Sequence, residues 1–365
     1  MGAVAVIALA GGWVFVSSQP GASASASAGT SGAGTSISTD TASPTPQFVR
    51  SITLVASIGE PKAWTPAGLT WTGIQAAAAR IGATTSNVAP ASNADLPADL
   101  DQAAMAESSI VVTVGPAADA AVRAAAAAHP TTQFLEMDVV VPDTSPPNVH
   151  GLAFDEAEAG YLAGYVAAAF SGSGKVGMVG DTQTDVHSIN YGTGLRSGAA
   201  EAVPGMTVAF AYAGTPDSPD RGRTAAAGLV KAGNDVILAM PSLSGIGAMR
   251  EACARKARLV AVDTDAWQIV PDVDSCLIVS VMKRYDAAVT AAIATASKGT
   301  ALPRLTVNDV ANGGIALSAF HGDLPEGFGA RLDAVLATLR NGPPRPTPVP
   351  PSAVPSAVPS GSPKP

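Results

Sequence analysis

The stretch KVGMVGDTQTDVHSINYGTGLRSGAAEAVPGMTVAFAYAGTPDSPDRGRTAAAGLVKAGNDVILAM, residues 175–240, decides the fold. Three short runs, KVGMVG (175–180), TVAFAYAG (207–214) and DVILAM (235–240), are apolar without strict alternation. That is the pattern of strands buried on both faces, not of strands with one wet side. Between the runs the composition turns helical: GTGLRSG (192–198) reads as the opening of a helix, and DRGRTAAAGLVKAG (220–233) as a full one. Strand, helix, strand in this order implies a parallel sheet with helices packed on both of its faces.

The same alternation extends in both directions. Upstream lie SITLVAS (51–57), SSIVVTVG (108–115) and TQFLEMDVV (132–140); downstream lie RLVAVDTD (258–265) and CLIVSV (276–281). Ala-rich segments fill the gaps, among them TWTGIQAAAARIG (70–82), AADAAVRAAAAAHP (117–130) and AEAGYLAGYVAAAFSG (157–172). These units are more numerous than one sheet usually carries, so two α/β lobes are expected.

Outside this body the composition changes abruptly. Residues 3–16, AVAVIALAGGWVFV, are apolar and uncharged, and residues 18–48 form a Ser/Ala/Gly/Thr/Pro tract with Asp40 as its one charge. Residues 1–17 therefore read as an export signal or single membrane anchor, and 18–48 as a linker with too little apolar surface to fold. The apolar run lacks a basic n-region, which leaves a start upstream of Met1 open. Residues 342–365, GPPRPTPVPPSAVPSAVPSGSPKP, favour polyproline II and read as a disordered tail.

The chain has 365 residues, with 21 Lys and Arg against 29 Asp and Glu, a formal net charge of −8. No basic face for phosphate neutralisation is available, which argues against a nucleic-acid partner. The mean hydropathy of +0.26 comes from Ala and Val in a charge-poor chain. The body has no apolar run of the ~18 residues that a span requires. Enzymatic signatures are also missing. GSGKVG (172–177) precedes a strand instead of following one, and no GxSxG or HExxH occurs. His129, His150, His187 and His321 are scattered, with no pair at metal-ligand spacing, so no metal or cofactor is expected. His129 reads as a helix C-terminal residue, whereas His187, in the loop after KVGMVG, is a candidate to face a cleft.

In open α/β sheets ligands bind beyond the carboxyl ends of the strands. The polar residues there are Ser57, Glu60, Asp138, Asp181, Asp217, Ser242, Ser244, Asp263, Asp265 and Lys283. Carboxylates and hydroxyls with a single Lys suit a ligand rich in OH and NH donors. Any one of them taken alone also fits a helix cap or turn, and Asp217 and Ser244 are read that way. Asp263, Asp265 and Lys283 together are harder to assign to capping. Cys253 and Cys276 are the two cysteines, 23 residues apart; a disulfide and a pair of buried thiols both remain open.

The order of segments resembles the basic membrane protein (PnrA-like) family, the substrate-binding components of ABC importers. The resemblance is carried by SNADLPADLDQA (92–103), IVVTVGPAADAAV (110–122), HPTTQFLEMD (129–138), PPNVHGLAFDEAEAGYLAGYVAA (146–168) and GKVGMVGD (174–181). It continues through YAGTPDSPDRGR (212–223), AGNDVILAMPSLSGIG (232–247), VAVDTD (260–265) and SVMKRYDAAV (280–289). It implies a type I periplasmic-binding-protein fold, two Rossmann-like lobes with parallel sheets joined by hinge strands. Lobe 1 would take 49–152 plus about 284–310, and lobe 2 would take 153–283 plus about 311–341. By analogy the chain would cross near Gly151–Phe154 and near Ser280–Arg284.

The resemblance also implies a monomeric extracytoplasmic binder that closes around a nucleoside-like solute and works with an ABC permease. Asp263 or Asp265 and Lys283 match the positions that meet ribose hydroxyls, and Asp138 matches an acid able to accept from a purine edge. The base side departs from the family. KAWTPAGLTW (62–71) replaces a segment in which a Phe stacks on the base, leaving Trp64 as the candidate stacker, and Pro216 stands where a second aromatic occurs. A membrane-tethered sensor of the same fold, and a binder whose cleft has decayed, are the alternatives.

Overall fold

The computed structural model describes residues 49–56, 61–106 and 109–342. The expectations for 1–17, 18–48, Ser57, Glu60 and the tail beyond Gly342 lie outside these residues. Among the described residues no helix is long and apolar enough to cross a membrane.

In chain order the first elements are β1 (Ser51–Val55), α1 (Pro66–Ile81), β2 (Thr84–Val88), α2 (Leu96–Met105), β3 (Ile110–Val114), α3 (Asp119–Ala128), β4 (Gln133–Met137) and β5 (Val149–Phe154). Next come α4 (Glu156–Phe170), β6 (Lys175–Gly180), α5 (Val186–Ala202), β7 (Thr207–Tyr212), α6 (Pro219–Lys231), β8 (Val236–Ala239), α7 (Leu243–Ala254) and β9 (Arg258–Asp263). The last are α8 (Ala266–Ile269), β10 (Leu277–Lys283), α9 (Tyr285–Ser297), β11 (Leu305–Asn308), β12 (Ile315–Leu317) and α10 (Phe328–Asn341).

The strands form two six-stranded sheets, ordered β11-β5-β4-β3-β1-β2 and β12-β10-β9-β8-β6-β7. The first is parallel throughout, and the second is parallel apart from the antiparallel β10–β12 pair. The second sheet repeats the order of the first, strand for strand. Each is sandwiched by helices, because its strands are apolar on both faces. In the first sheet, Val55, Val111 and Phe134 pack with Leu100 of α2 and Val122 of α3. Its opposite face sets Leu54, Val112 and Leu135 in one core with Ile74 of α1 and Val289 of α9. In the second sheet, Val179, Ile237 and Leu259 meet Leu229 of α6 and Ala248 of α7. Its opposite face brings Met178, Leu238 and Val260 into a core with Leu162 of α4 and Leu195 of α5.

The chain passes between the sheets three times: from β5 into α4, from β10 into α9, and from β11 to β12. Two of these passes bring the ends of β5 and β10 beside the start of the next helix, where the candidate site lies.

Local signals account for the helix starts. Thr65 accepts from Gly68 N at 3.1 Å ahead of Pro66, and Asp155 accepts from Glu158 N at 2.8 Å. Ser218 and Ser242 cap α6 and α7. The sequence pointed to Asp217 and Ser244 for those roles. Asp217 is instead exposed, and Ser244 is buried in the first turn of α7, donating to Thr215 O at 2.6 Å. GTGLRSG does not open a helix either; it lies in the middle of α5. Its glycines let α5 approach α4 closely. A Cβ on Gly194 would stand 1.9 Å from Ala157 O, and one on Gly198 would stand 1.9 Å from Tyr161 O.

Cys253, at the end of α7, and Cys276, just before β10, are joined by a disulfide with Cα atoms 5.5 Å apart.

Candidate functional site

The two sheets place acidic residues at equivalent strand ends. Asp138 follows β4 and Asp263 ends β9, the third strands in their respective orders. Both adopt left-handed backbone, with φ of 61° and 70°. Asp tolerates this region better than most residues because its short polar side chain bonds locally. Such conformations cost about 1–3 kcal/mol and persist where the surroundings hold them, often at functional sites. The second strands contribute a matching pair: Glu156 opens α4 just after β5, and Lys283 ends β10.

Lys283 joins these groups. Its Nζ donates to Asp138 Oδ2 at 2.9 Å and to Glu156 Oε1 at 2.7 Å, and lies 3.5 Å from Asp263 Oδ1. Phe154 and Tyr191 present their rings 5.8 Å from the same nitrogen. Lys283 is only 1% exposed. Burial works against its charge, but the carboxylates of Asp138, Asp263 and Glu156 overcome it and hold the ammonium well above the ordinary lysine range.

Helix α5 supplies the second half of the cluster. His187, Asn190 and Tyr191 stand at i, i+3 and i+4, one face of a helix, and the glycine-lined contact brings that face against α4. His187 Nδ1 bonds Glu156 Oε1, and Asn190 Nδ2 donates to Glu156 Oε2 at 3.0 Å. Tyr191 OH donates to Asp263 Oδ1, and Tyr285 OH, on α9, donates to Asp138 Oδ2 at 2.9 Å. Burial disfavours an ionised Glu156, yet Lys283 and His187 together hold its carboxyl well below the usual carboxylate range. Asp263 moves the other way: burial, then the charges of Asp138 and Glu156, outweigh Lys283 and raise it.

Exposure sorts the roles within the cluster. Lys283 and Glu156 are interior, whereas the side chains of Asp138 and Asp263 remain 18% and 12% exposed. The two outward carboxylates are hydrogen-bond acceptors, braced from behind by a cation.

Of the residues that sequence reasoning nominated, Asp138, Asp263 and Lys283 come together here. Asp265 serves a local purpose: it caps α8, accepting from Trp267 N at 3.3 Å and from Ser280 Oγ at 3.2 Å. Trp64 is exposed, with φ of 67°, immediately before the Thr65 cap of α1. Asp181 and Ser242 pair with each other at 2.5 Å across the ends of β6 and β8. Sequence reasoning passed over Glu156, Asn190, Tyr191 and Tyr285. The His-x-x-Asn-Tyr spacing after a buried strand is the signal that could have found two of them.

The family described as "ABC transporter substrate-binding protein PnrA-like" matches residues 69–319. The chain is 32% identical over 154 residues to the ABC transporter nucleoside-binding protein BmpA of Lactococcus lactis subsp. cremoris, covering 42% of this chain and 43% of that one. It is 33% identical over 144 residues to basic membrane protein D of Borreliella burgdorferi, covering 39% and 41%. The matched region thus spans less than half the length of either curated relative. An ABC transporter solute-binding protein from Conexibacter woesei has the same fold, with a TM-score of 0.67 at 23% identity over 82% of this chain and 99% of that one.

Proposed function

Because this chain belongs to the PnrA-like family of ABC transporter substrate-binding proteins, we propose that it captures a nucleoside-like solute between its two sheets and presents it to a permease. The observation that carries this reading is the outward pair of carboxylates, Asp138 and Asp263, held by a buried Lys283 where both sheets end. Two acceptors side by side suit vicinal hydroxyls or ring N–H groups, each bond to a charged partner being stronger than a neutral one. The name of the Lactococcus relative, a nucleoside-binding protein, supports the same choice of solute.

The three passes between the sheets are the hinge of this reading. Motion about them opens and closes the gap, and closure expels water around the solute. Asp138 stands on one side of that gap and Asp263 on the other. Binding and release complete the cycle with no bond made or broken. The protein acts at the outer side of the plasma membrane, secreted or held there by residues 1–17.

Thermal-shift and calorimetric screening of the full chain against nucleosides, free bases and sugars tests the proposal. A ligand that binds the native state raises its apparent stability by mass action. Nucleosides should shift the melt, and Asp263→Asn should weaken nucleosides more than free bases. A flat response to every nucleoside overturns the choice of solute.

A further inference from the structure

We infer that His187 is a specificity-determining residue of this site, donating its Nε2–H to an acceptor atom on the bound solute. The inference rests on the solute-binding reading above and goes beyond it, because it names the second kind of group that the solute must carry.

Three observations converge. First, the ring is fixed from behind: Nδ1 bonds Glu156 Oε1, the same oxygen that takes Lys283 Nζ at 2.7 Å. The imidazole is therefore locked beside the ammonium, with one nitrogen committed. Second, the His187 side chain is 37% exposed, while Glu156 and Lys283 behind it are buried. Its Nε2 makes no hydrogen bond to another described residue. Third, every other charged group at the exposed edge is an acceptor. Asp138 and Asp263 can take hydrogen bonds from a solute but cannot give one. His187 alone among the charged members of the cluster turns a donor outward.

The surroundings keep that donor charged. The groups facing His187 are Glu156 on α4, Lys283 on β10, Asp138 after β4 and Asp181 after β6. Burial opposes the imidazolium and Lys283 repels it, but the hydrogen bond and charge of Glu156, aided by Asp138, push it up to about 9. When the proton does leave, Nδ1–H stays against the carboxylate, so Nε2 changes from donor to acceptor. The solute class is then one with donors for two carboxylates and, beside them, a ring nitrogen or carbonyl for His187. A nucleoside meets that description through its sugar and its base.

The test is calorimetry on the full chain with adenosine and inosine as probes, comparing wild type, His187→Phe and His187→Gln. Losing a hydrogen bond from a charged donor should weaken binding about 10–100-fold in His187→Phe. The amide of His187→Gln, which retains an N–H, should recover most of that loss. The wild type is measured in parallel with adenosine, which does not titrate between about pH 7 and pH 10. Its affinity should fall as the pH rises through about 9. Unchanged binding in His187→Phe together with a flat pH profile overturns the role of His187 and leaves the solute reading standing. A loss in Phe that Gln fails to recover assigns the residue to packing and also overturns the inference. Wild type that binds no nucleoside overturns both. The pH profile needs no variant, so it decides even where His187→Phe fails to fold.

Discussion

Glu136 and Glu156 are both carboxyl groups buried beneath the surface of this protein, and they end up in opposite states. Glu136, within β4, is 0% exposed, and neither of its oxygens has a hydrogen-bond partner among the described residues. Thr113 stands beside it in the ladder, and its Oγ1 is likewise without a partner among the described residues. Burial, reinforced by the charge of Asp119 and only partly offset by Arg123, pushes Glu136 up to about 8. Glu156 is buried as well, yet it receives Lys283, His187 and Asn190 and stays ionised. Burial alone does not set the charge of a carboxyl group. The partners supplied by neighbouring elements decide whether it is an acid or an anion at neutral pH.

This contrast can be broken at its strongest point by Lys283→Met, which leaves Asp138, Glu156 and Asp263 without their shared cation. Removing one partner of a buried charged group costs about 3–5 kcal/mol, and urea unfolding at neutral pH should record a loss of that order. A loss below about 1 kcal/mol would mean that the carboxylates re-protonate or rehydrate without help.

The second prediction concerns Glu136→Met. In the wild type the unfolded chain releases this proton near the ordinary value of 4.5, while the folded protein holds it up to about 8. Stability is therefore unaffected by Glu136 below 4.5, declines as the pH rises toward about 8, and then levels off. Glu136→Met should remove that decline and be more stable on the order of 4 kcal/mol at pH 8, with a much smaller advantage in acid. Glu156 has the opposite sign: its contribution is present above its ordinary 4.5 and is lost as the pH falls below it. Wild type should accordingly lose stability on both the acid and the alkaline side, and the variant chiefly on the acid side.

Smaller effects sharpen the paired half of the comparison. Tyr285→Phe removes one donor from Asp138 and should cost about 1.5 kcal/mol, since Lys283 remains in place. His187→Gln should cost less than about 1 kcal/mol, because solvent screens this partly exposed ring. Its contribution is present below the ordinary 6.5 and is lost as the pH rises through about 9. Unfolding curves at pH 6 and pH 10 should show the difference shrinking in alkali.

Much of the fold was legible because its central strands are apolar on both faces and its helices rich in alanine. The edges were not. β2, TTSNV, is polar and partly exposed, while β11 and β12 are only four and three residues long, so neither pattern nor length announced them. At the site, the strand-end rule brought Asp138, Asp263 and Lys283 into view. It gave Asp265 equal standing with Asp263, because two acids at the end of one strand look alike until one of them turns back to cap a helix. Glu156 was hidden by resemblance to ordinary helix starts, where acidic residues are common for reasons of the helix dipole. His187 was already a candidate from its place after KVGMVG, but Asn190 and Tyr191 gain meaning only when α5 lies close to α4, a fact written in glycines that read locally as the opening of a helix.

The return of the chain to its first sheet has a consequence for biosynthesis. β5 ends at Phe154, but the strand that flanks it, β11, closes only with Asn308. At translation rates of roughly 5–20 residues per second, that edge of the nascent sheet stays open for roughly 8–30 s. Meanwhile the second sheet is being made without its own last strand, β12, which pairs with β10 only after β11 is complete. Neither half can be severed from the other by a single cut and retain all of its strands. A split-protein reporter built on this scaffold would need fragments that exchange strands, and a chaperone that shields open sheet edges would find a transient target at β5.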